Sequence, residues 1–323
     1  MPLLDVRGLC VHFPTPQGLA RAVDGATFTL EKGRTLALVG ESGSGKSTTA
    51  LAILGLHSKS TRISGSVYFE GCSLLDSPRR MLQTIRGRGI SMIFQEAAAS
   101  LNPIYTVGSR LAETVRLHRG SGRRAAWRTT LDLLRDVRLE PPDRMARRYP
   151  HELSGGMQQR VAIALALAGQ PSLLVADEPI SALDATSQKE IVDLLAELSR
   201  RHAMALLLIS HDLDLVAQMA DTLAVMYAGK IVETGPAVQI FQAPLHPYTA
   251  ALLACRPHIG NSGRLRGIPG MVPPATDYPA GCRFRDRCVF ADGECVREPP
   301  CQEHQPGRWA ACWHHDRVGL ENS

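Results

Sequence analysis

The sequence predicts an α/β fold: a parallel sheet with its helices, a helical insertion, and a loop-rich extension at the C-terminus. Three observations predict it. Short apolar runs return as strand, helix and strand, with Leu173-Leu174-Val175-Ala176, a helical stretch over 188–198, and Leu206-Leu207-Leu208-Ile209, which is the rhythm of a parallel sheet. The apolar run Thr35-Leu36-Ala37-Leu38-Val39 leads through a glycine-rich turn into a helix-compatible stretch that stops at Gly55. From about 105 to 168 the apolar residues recur at helical spacing, as at Leu131, Leu134 and Val137.

The remaining elements follow in order. Residues 1 to about 95 read as strand-rich, because Leu4, Val6, Val11 and Phe13, and later Val67 and Phe69, alternate in part between turn residues such as Pro14, Gly18, Gly25 and Gly33. Pro141-Pro142-Asp143 separates helices in the middle of the chain. Beyond about 236 the composition shifts. Eight of the 21 prolines lie between 257 and 306 and no long periodic segment is found there, so a metal or a partner is expected to hold this part.

With 323 residues, 44% hydrophobic and 21% charged, the chain falls in the ordinary globular class and can bury a large core. Its longest apolar runs, 161–168 and 203–209, fall well short of the roughly 18 residues of a membrane span. Met1-Pro2-Leu3-Leu4-Asp5 has neither the basic nor the apolar region of a secretory signal, so the chain is expected to stay in the cytosol. The net charge of +5 comes from 31 Arg against 5 Lys, with no basic tract beyond two residues. Nucleic acid is therefore not an expected partner. Arg119, Arg123, Arg124, Arg128, Arg138, Arg144, Arg147 and Arg148 read as a solvated helical surface. Eight cysteines in a cytosolic chain argue against a disulfide framework, yet five of them crowd into the 31 residues 282–312.

The glycine-rich turn is Gly40-Glu41-Ser42-Gly43-Ser44-Gly45-Lys46-Ser47, followed by Thr48. It is a complete G-x-x-x-x-G-K-[ST] motif between a strand and a helix. Its glycines let backbone N–H groups curl round phosphates, the helix N-terminus adds positive potential, Lys46 neutralises the β and γ oxygens, and Ser47 offers a hydroxyl to Mg²⁺. Chance matches to four fixed positions arise in on the order of 1% of chains this long. Asp177-Glu178 closes a later apolar run, where carboxylates of parallel sheets face the ligand crevice. Asp177 is a candidate for Mg²⁺ through water and Glu178 for polarising the attacking water; taken alone, such a pair is as readily a helix start. His211 follows the next strand and is a candidate for the γ-phosphate or its water, although an isolated histidine is more often a surface or core residue.

Leu153-Ser154-Gly155-Gly156-Met157-Gln158-Gln159-Arg160 opens an apolar helix. Two glycines leave amides open at a helix N-terminus with Ser154 as cap, which makes a second anion grip. This segment resembles the signature motif of ATP-binding cassette ATPases. The resemblance covers residues 1 to about 235, with 40–47 as Walker A, Gln95 as the Q-loop glutamine, 173–177 as Walker B, Ser181-Ala182-Leu183-Asp184 as the D-loop and His211 as the switch histidine. It implies a P-loop NTPase with a RecA-like parallel core, an antiparallel β subdomain and a helical subdomain at about 96–170. It further implies nucleotide contacts from Gly40, Ser42, Gly43, Ser44, Gly45, Lys46, Ser47, Thr48, Gln95, Asp177, Ser154, Gly155, Gly156 and Gln158, and Mg²⁺ held by Ser47, Gln95 and Asp177. Glu178, His211 and Gln95 are the implied catalytic residues. Phe13 resembles the aromatic that stacks on adenine, and is nearly as well read as a core residue.

The oligopeptide, dipeptide and nickel importer branch is the nearest resemblance, through Ser100-Leu101-Asn102-Pro103, Val225-Met226-Tyr227-Ala228-Gly229, His246-Pro247-Tyr248-Thr249 and the cysteine-bearing extension at 236–323. Three departures stand out: Glu96-Ala97 where the family usually has Asp-Pro, Ile180 for the usual Thr, and an extra Cys301. The first touches the expected permease contact; the others leave ATP chemistry intact. Cys282-x5-Cys288-x6-Cys295-x16-Cys312 is spaced more widely than zinc ribbons. Four thiolates also suit an iron–sulfur cluster, and the branch resemblance implies a [4Fe-4S] centre; structural zinc and packed thiols are the alternatives. Arg283, Arg285 and Arg287 are expected either to offset thiolate charge or to be solvated.

The family implies a second cassette arranged head to tail, two transmembrane permeases, an extracytoplasmic solute-binding protein, and a peripheral place on the cytoplasmic face of the bacterial inner membrane. Peptide is the expected solute, with nickel or another small solute as the alternative. A non-transport cassette acting on nucleic acid or ribosomes usually carries two cassettes per chain or long insertions, which this chain lacks. An unrelated P-loop kinase or GTPase leaves the Ser154 to Gln158 segment without a role.

Overall fold

The computed structural model describes residues 1–96, 100–181, 183–256 and 267–318, so Ala97 and Ala182 lie outside the described residues. The chain divides into two compact units. One comprises residues 1–31, 35–76 and 208–323, the other residues 32–34 and 77–207.

The first unit starts with β1 (Leu4–Thr15) and β2 (Gly18–Leu30), paired antiparallel. Leu4, Val6, Leu9 and Val11 are buried. Their alternation is incomplete because the ladder shifts register between Val6 and Leu9, around Gly8 at φ 56°; an extra residue in one strand turns the side-chain order over. Next come β3 (Thr35–Val39), buried throughout, and the helix Lys46–Ile53. β4 (Arg62–Phe69) and β5 (Cys72–Ser73) complete an antiparallel sheet of order β2-β1-β4-β5.

The second unit holds β6 (Ile90–Ile93) and β7 (Leu173–Asp177), parallel, with Ile93 opposite Ala176. Between them run the helices Val107–Arg119, Arg123–Asp136, Pro142–Ala146 and Gly155–Leu167, in agreement with the helical periodicity. The helix Ala185–Arg201 turns Ile191, Leu194, Leu195 and Leu198 inward. It begins three residues before the periodic stretch because Asp184 caps it, accepting from Ser187 N–H at 3.0 Å. β8 (Ala205–Ile209) follows and runs across the boundary between the units.

Back in the first unit, β9 (Thr222–Tyr227) lies parallel to β3, and β10 (Lys230–Pro236) returns antiparallel to β9. The described residues 267–301 are loop-rich as the composition predicts, with only two short 3-10 turns, Arg285–Arg287 and Gly293–Val296, while helices precede that stretch and a hairpin follows it. Helices Ala237–Gln242 and Pro247–Ala254 come first. A hairpin of β11 (Gln302–Gln305) and β12 (Arg308–Ala310) then extends the sheet by pairing with β10. Its turn is Pro306-Gly307 with Gly307 at φ 73°, the proline-then-glycine order of a type II turn. That dipeptide was the available signal for the hairpin. Among the described residues no helix is long and apolar enough to cross a membrane.

Candidate active site

In the first unit the 40–47 loop leaves the carboxyl end of β3. Two of its glycines are forced by contact as well as by dihedral angle. Gly40 has φ 151°, and a Cβ there would lie 2.0 Å from the Met226 carbonyl oxygen; Gly45 has φ 107°, and its Cβ would lie 2.3 Å from that of Ala22. No other residue type fits either place. Lys46 is buried, and its Nζ donates to Gly40 O at 2.8 Å and Glu41 O at 3.0 Å. Ser42 and Gly43 are exposed at the loop crest, Ser44 and Gly45 are buried beneath it, and Ser47 and Thr48 are half-buried at the helix start. His211 belongs to the same unit and the same sheet end, since Ser210 N–H donates to Leu38 O in β3. It is exposed, and Asp212 beside it caps the next helix by accepting from Asp214 and Leu215 N–H. Phe13 is half-buried on β1, with its ring centroid 6.3 Å from that of His57.

In the second unit the pairing of Ile93 with Ala176 puts Gln95, two residues past β6, and Asp177 and Glu178, the last residue of β7 and the next, at the same ends of two adjacent parallel strands. Asp177 and Glu178 are buried and Gln95 is exposed. Glu178 has φ 48°, a left-handed conformation that costs a non-glycine residue of order 1 kcal/mol or more and clusters at functional sites. Ser181 N–H and Oγ both donate to the Glu178 carbonyl oxygen, at 3.3 and 3.2 Å, and hold this turn. Ser154 caps the helix Gly155–Leu167 as its sequence predicts, accepting from Met157 N–H at 3.4 Å. Ser154 and Gly155 are exposed and Gly156 is half-buried, so the open amides of this N-terminus face outward. The Gln158 amide nitrogen donates to Pro150 O at 2.9 Å and Leu153 O at 3.2 Å, bracing the turn that carries the motif.

Cys282, Cys288, Cys295 and Cys312 come together in the first unit, lining one small pocket with Phe284, Trp313 and His314. Cys282 N–H donates to Cys295 O at 3.0 Å, and His314 N–H to Cys312 Sγ at 3.4 Å. Burial pushes the Cys288 thiol up to about 11 and that of Cys312 up to about 12. Cys301 lines a different pocket. Arg285 is half-buried and its charge favours the Cys282 thiolate, as expected of a counter-charge, whereas Arg283 and Arg287 are taken up by other partners. Arg283, 7% exposed, pairs with Asp24 and donates to Ala228 O; Arg287, 5% exposed, forks onto Glu41; Arg285 donates to Ala280 O and pairs with Asp286. The guanidinium groups of Arg283 and Arg287 are taken by carboxylates from elsewhere in the fold, which spacing within the extension does not reveal.

A lysine drawn over a glycine loop at a strand end, together with carboxylates at the ends of parallel strands, defines the P-loop nucleotide hydrolases, and a capped glycine pair opening a second helix narrows that class to ATP-binding cassettes. Residues 23–181 match the ABC transporter family, and residues 232–295 match the family described as oligopeptide/dipeptide transporter, C-terminal region. The chain is 45% identical to the oligopeptide transport ATP-binding protein OppD of Haemophilus influenzae over 97% of both chains. It is 44% identical to the dipeptide transport ATP-binding protein DppD of the same organism, over 97% of this chain and 95% of the relative. A Brucella melitensis relative reaches 47% identity over 96% of this chain and 94% of its own length. Among solved structures, the ATP-binding cassette MJ0796, a dimer in a post-hydrolysis state bound to ADP and Pi, aligns with a TM-score of 0.65 at 26% identity, over 72% of this chain and 98% of its own. The chain belongs to the ATP-binding cassette ATPases, in the oligopeptide/dipeptide transporter family.

Proposed function

We propose that this chain hydrolyses ATP as one of two cassettes that power uptake of di- or oligopeptides through separate permease subunits. The outward-facing N-terminus at Ser154 and Gly155 carries this reading, because a second anion grip on the same chain is useful when a partner cassette brings its own nucleotide to it. Walker A of each chain then faces the signature of the other, with Phe13 against the adenine. Ser47, Gln95 and Asp177 have the oxygen chemistry that Mg²⁺ requires, and Mg²⁺ supplies charge neutralisation at the phosphates. Glu178 orients and polarises the attacking water, His211 supports that water and the γ-phosphate, and Lys46 moves from its loop carbonyls to the phosphate oxygens.

Phe94, Ile104 and Tyr105, all exposed, flank the Glu96 segment and give the apolar surface that a permease would cover. The assembly sits on the cytoplasmic face of the inner membrane, supplied by a solute-binding protein outside. Solute choice lies with that protein and the permeases, since the cassette touches neither peptide nor nickel.

The four-thiol pocket fits a metal centre. A single zinc ion, with Zn–S near 2.3 Å, needs thiolates roughly 4 Å apart. Among the described residues, the sets of three or more ligand atoms within 4.8 Å of one another are Cys10, His12 and Asp24, and Asp292, Cys295 and His314. The four cysteines do not form one of those sets, and the reading of a [4Fe-4S] cluster rests on their number, their shared pocket and the family resemblance, with structural zinc and packed thiols as the alternatives. Such a cluster would supply a cross-link for the extension, with no electron transfer in the ATP cycle. The deciding experiment is ATP-driven uptake in vesicles containing this chain, a partner cassette and the permease subunits it assembles with. Accumulation of labelled peptide is the expected result, and accumulation of nickel with no peptide uptake overturns the solute assignment.

A further inference from the structure

Glu41, the second residue of the phosphate loop, is gripped on two sides by the C-terminal part of the chain. Arg287 lies between Cys282 and Cys288, 246 positions away, and its guanidinium forks onto the carboxylate: Nη1 donates to Oε2 at 2.7 Å and Nη2 to Oε1 at 3.0 Å. The guanidinium is itself fixed, with Nε donating to Pro269 O at 2.7 Å, Nη2 to Ile268 O at 3.3 Å and Nη1 to Tyr227 Oη at 3.3 Å. On the backbone side, Glu41 N–H donates to the hydroxyl of the fully buried Tyr248 at 2.8 Å. The Glu41 carbonyl oxygen then accepts from Lys46 Nζ. One residue of the loop therefore connects the extension to the phosphate-binding lysine.

Phe284 joins this grip to the thiol pocket. It lines the pocket, and its ring lies 5.2 Å from that of Tyr227 and 5.4 Å from that of Tyr248, centroid to centroid. Phe284 and Arg287 are two and five residues beyond Cys282, so the fold that gathers the cysteines also sets the ring and the guanidinium. A bidentate Arg–carboxylate contact fixes direction as well as distance. With the side chain, N–H and carbonyl of Glu41 all engaged, the loop has little freedom to collapse over the space a phosphate would take.

We propose that Arg287 and Glu41 are positioning residues through which the cysteine-rich extension holds the phosphate loop ready for nucleotide, so that nucleotide affinity depends on this ion pair. The inference rests on the ATPase reading and adds to it a role for the extension in nucleotide binding.

The test measures the MgATP dissociation constant of the full-length chain by calorimetric titration, with the melting temperature measured alongside. Arg287→Ala and Glu41→Gln are each expected to weaken binding about tenfold, and the double variant no more than either single one, since both remove the same contact. Arg287→Lys, which keeps the charge and loses the fork, should fall between. Glu41→Gln keeps the size and an acceptor oxygen, so it serves if Arg287→Ala does not fold. Wild-type affinity in a folded Glu41→Gln variant overturns the proposal, as does a lowered melting temperature with unchanged affinity. If the wild-type chain binds MgATP no better than Lys46→Ala does, the ATPase reading itself fails and this inference with it.

Discussion

Lys46 Nζ lies 2.8 Å from the carbonyl oxygen of Gly40, so the ammonium is drawn across the 40–47 loop. In the proposed reading, bound nucleotide would offer Lys46 phosphate oxygens of full charge in place of these carbonyl partners. Lys46→Ala should weaken MgATP binding by about 2 kcal/mol, near thirtyfold, as measured by equilibrium titration. Glu178→Gln should bind MgATP as the parent does and lower turnover in the assembled transporter by about 10²–10⁴. Parental turnover in Glu178→Gln would remove Glu178 from its role.

Gly155 is exposed at the N-terminus of a helix capped by Ser154. Gly155→Asp meets little steric resistance, since the nearest atom to a Cβ there is Leu183 Cδ2 at 3.7 Å. The variant should fold normally, and its carboxylate should repel the γ-phosphate held by the partner cassette. ATPase activity of the assembled complex is expected to drop at least tenfold, while MgATP binding to the isolated chain is unchanged. An active Gly155→Asp complex, or an isolated monomer as active as the complex, speaks against shared sites.

The four pocket cysteines and Cys301 should separate in mutagenesis. Protein purified without oxygen is expected to contain iron and sulfide and to absorb visible light. Cys→Ser at 282, 288, 295 or 312 should remove that absorbance and reduce assembly with the permeases, whereas Cys301→Ser should do neither. Stoichiometric zinc without iron or sulfide would replace the cluster assignment with a mononuclear site.

His246 is buried, and burial lowers its pKa from 6.5 to about 3. The unfolded chain takes up a proton below pH 6.5 that the folded chain refuses, so this contribution is complete above pH 6.5 and is lost as pH falls toward 3. The cost is about 1.4 kcal/mol per pH unit in that window. His246→Asn keeps an acceptor for Tyr248 N–H, which His246 Nδ1 binds at 3.0 Å, and removes the titration. Thermal melts at pH 7.5 and 5.5 should show a smaller acid shift for the variant than for the parent; equal shifts would assign the acid sensitivity elsewhere.

The local parts of this protein are determined by its sequence. The strand-loop-helix around Lys46, the Ser154 cap, the apolar strands ending at Asp177 and Ile209, and the helical insertion depend on neighbours a few positions apart, where spacing, capping and backbone freedom decide the outcome. The alternation of β1 was only partly legible because the register shift near Gly8 depends on the partner strand. Tertiary structure decided the rest. Arg287 was indistinguishable in sequence from a solvated arginine until the fold placed it on Glu41. Arg308 likewise reaches the buried carboxylate of Glu233, 75 positions away, and ties the β11–β12 hairpin to β10. The convergence of Cys312 with Cys282, Cys288 and Cys295 also required the fold. Ion pairs and pockets of this kind depend on which surfaces the packed core brings together, and sequence spacing carries no record of distances across it.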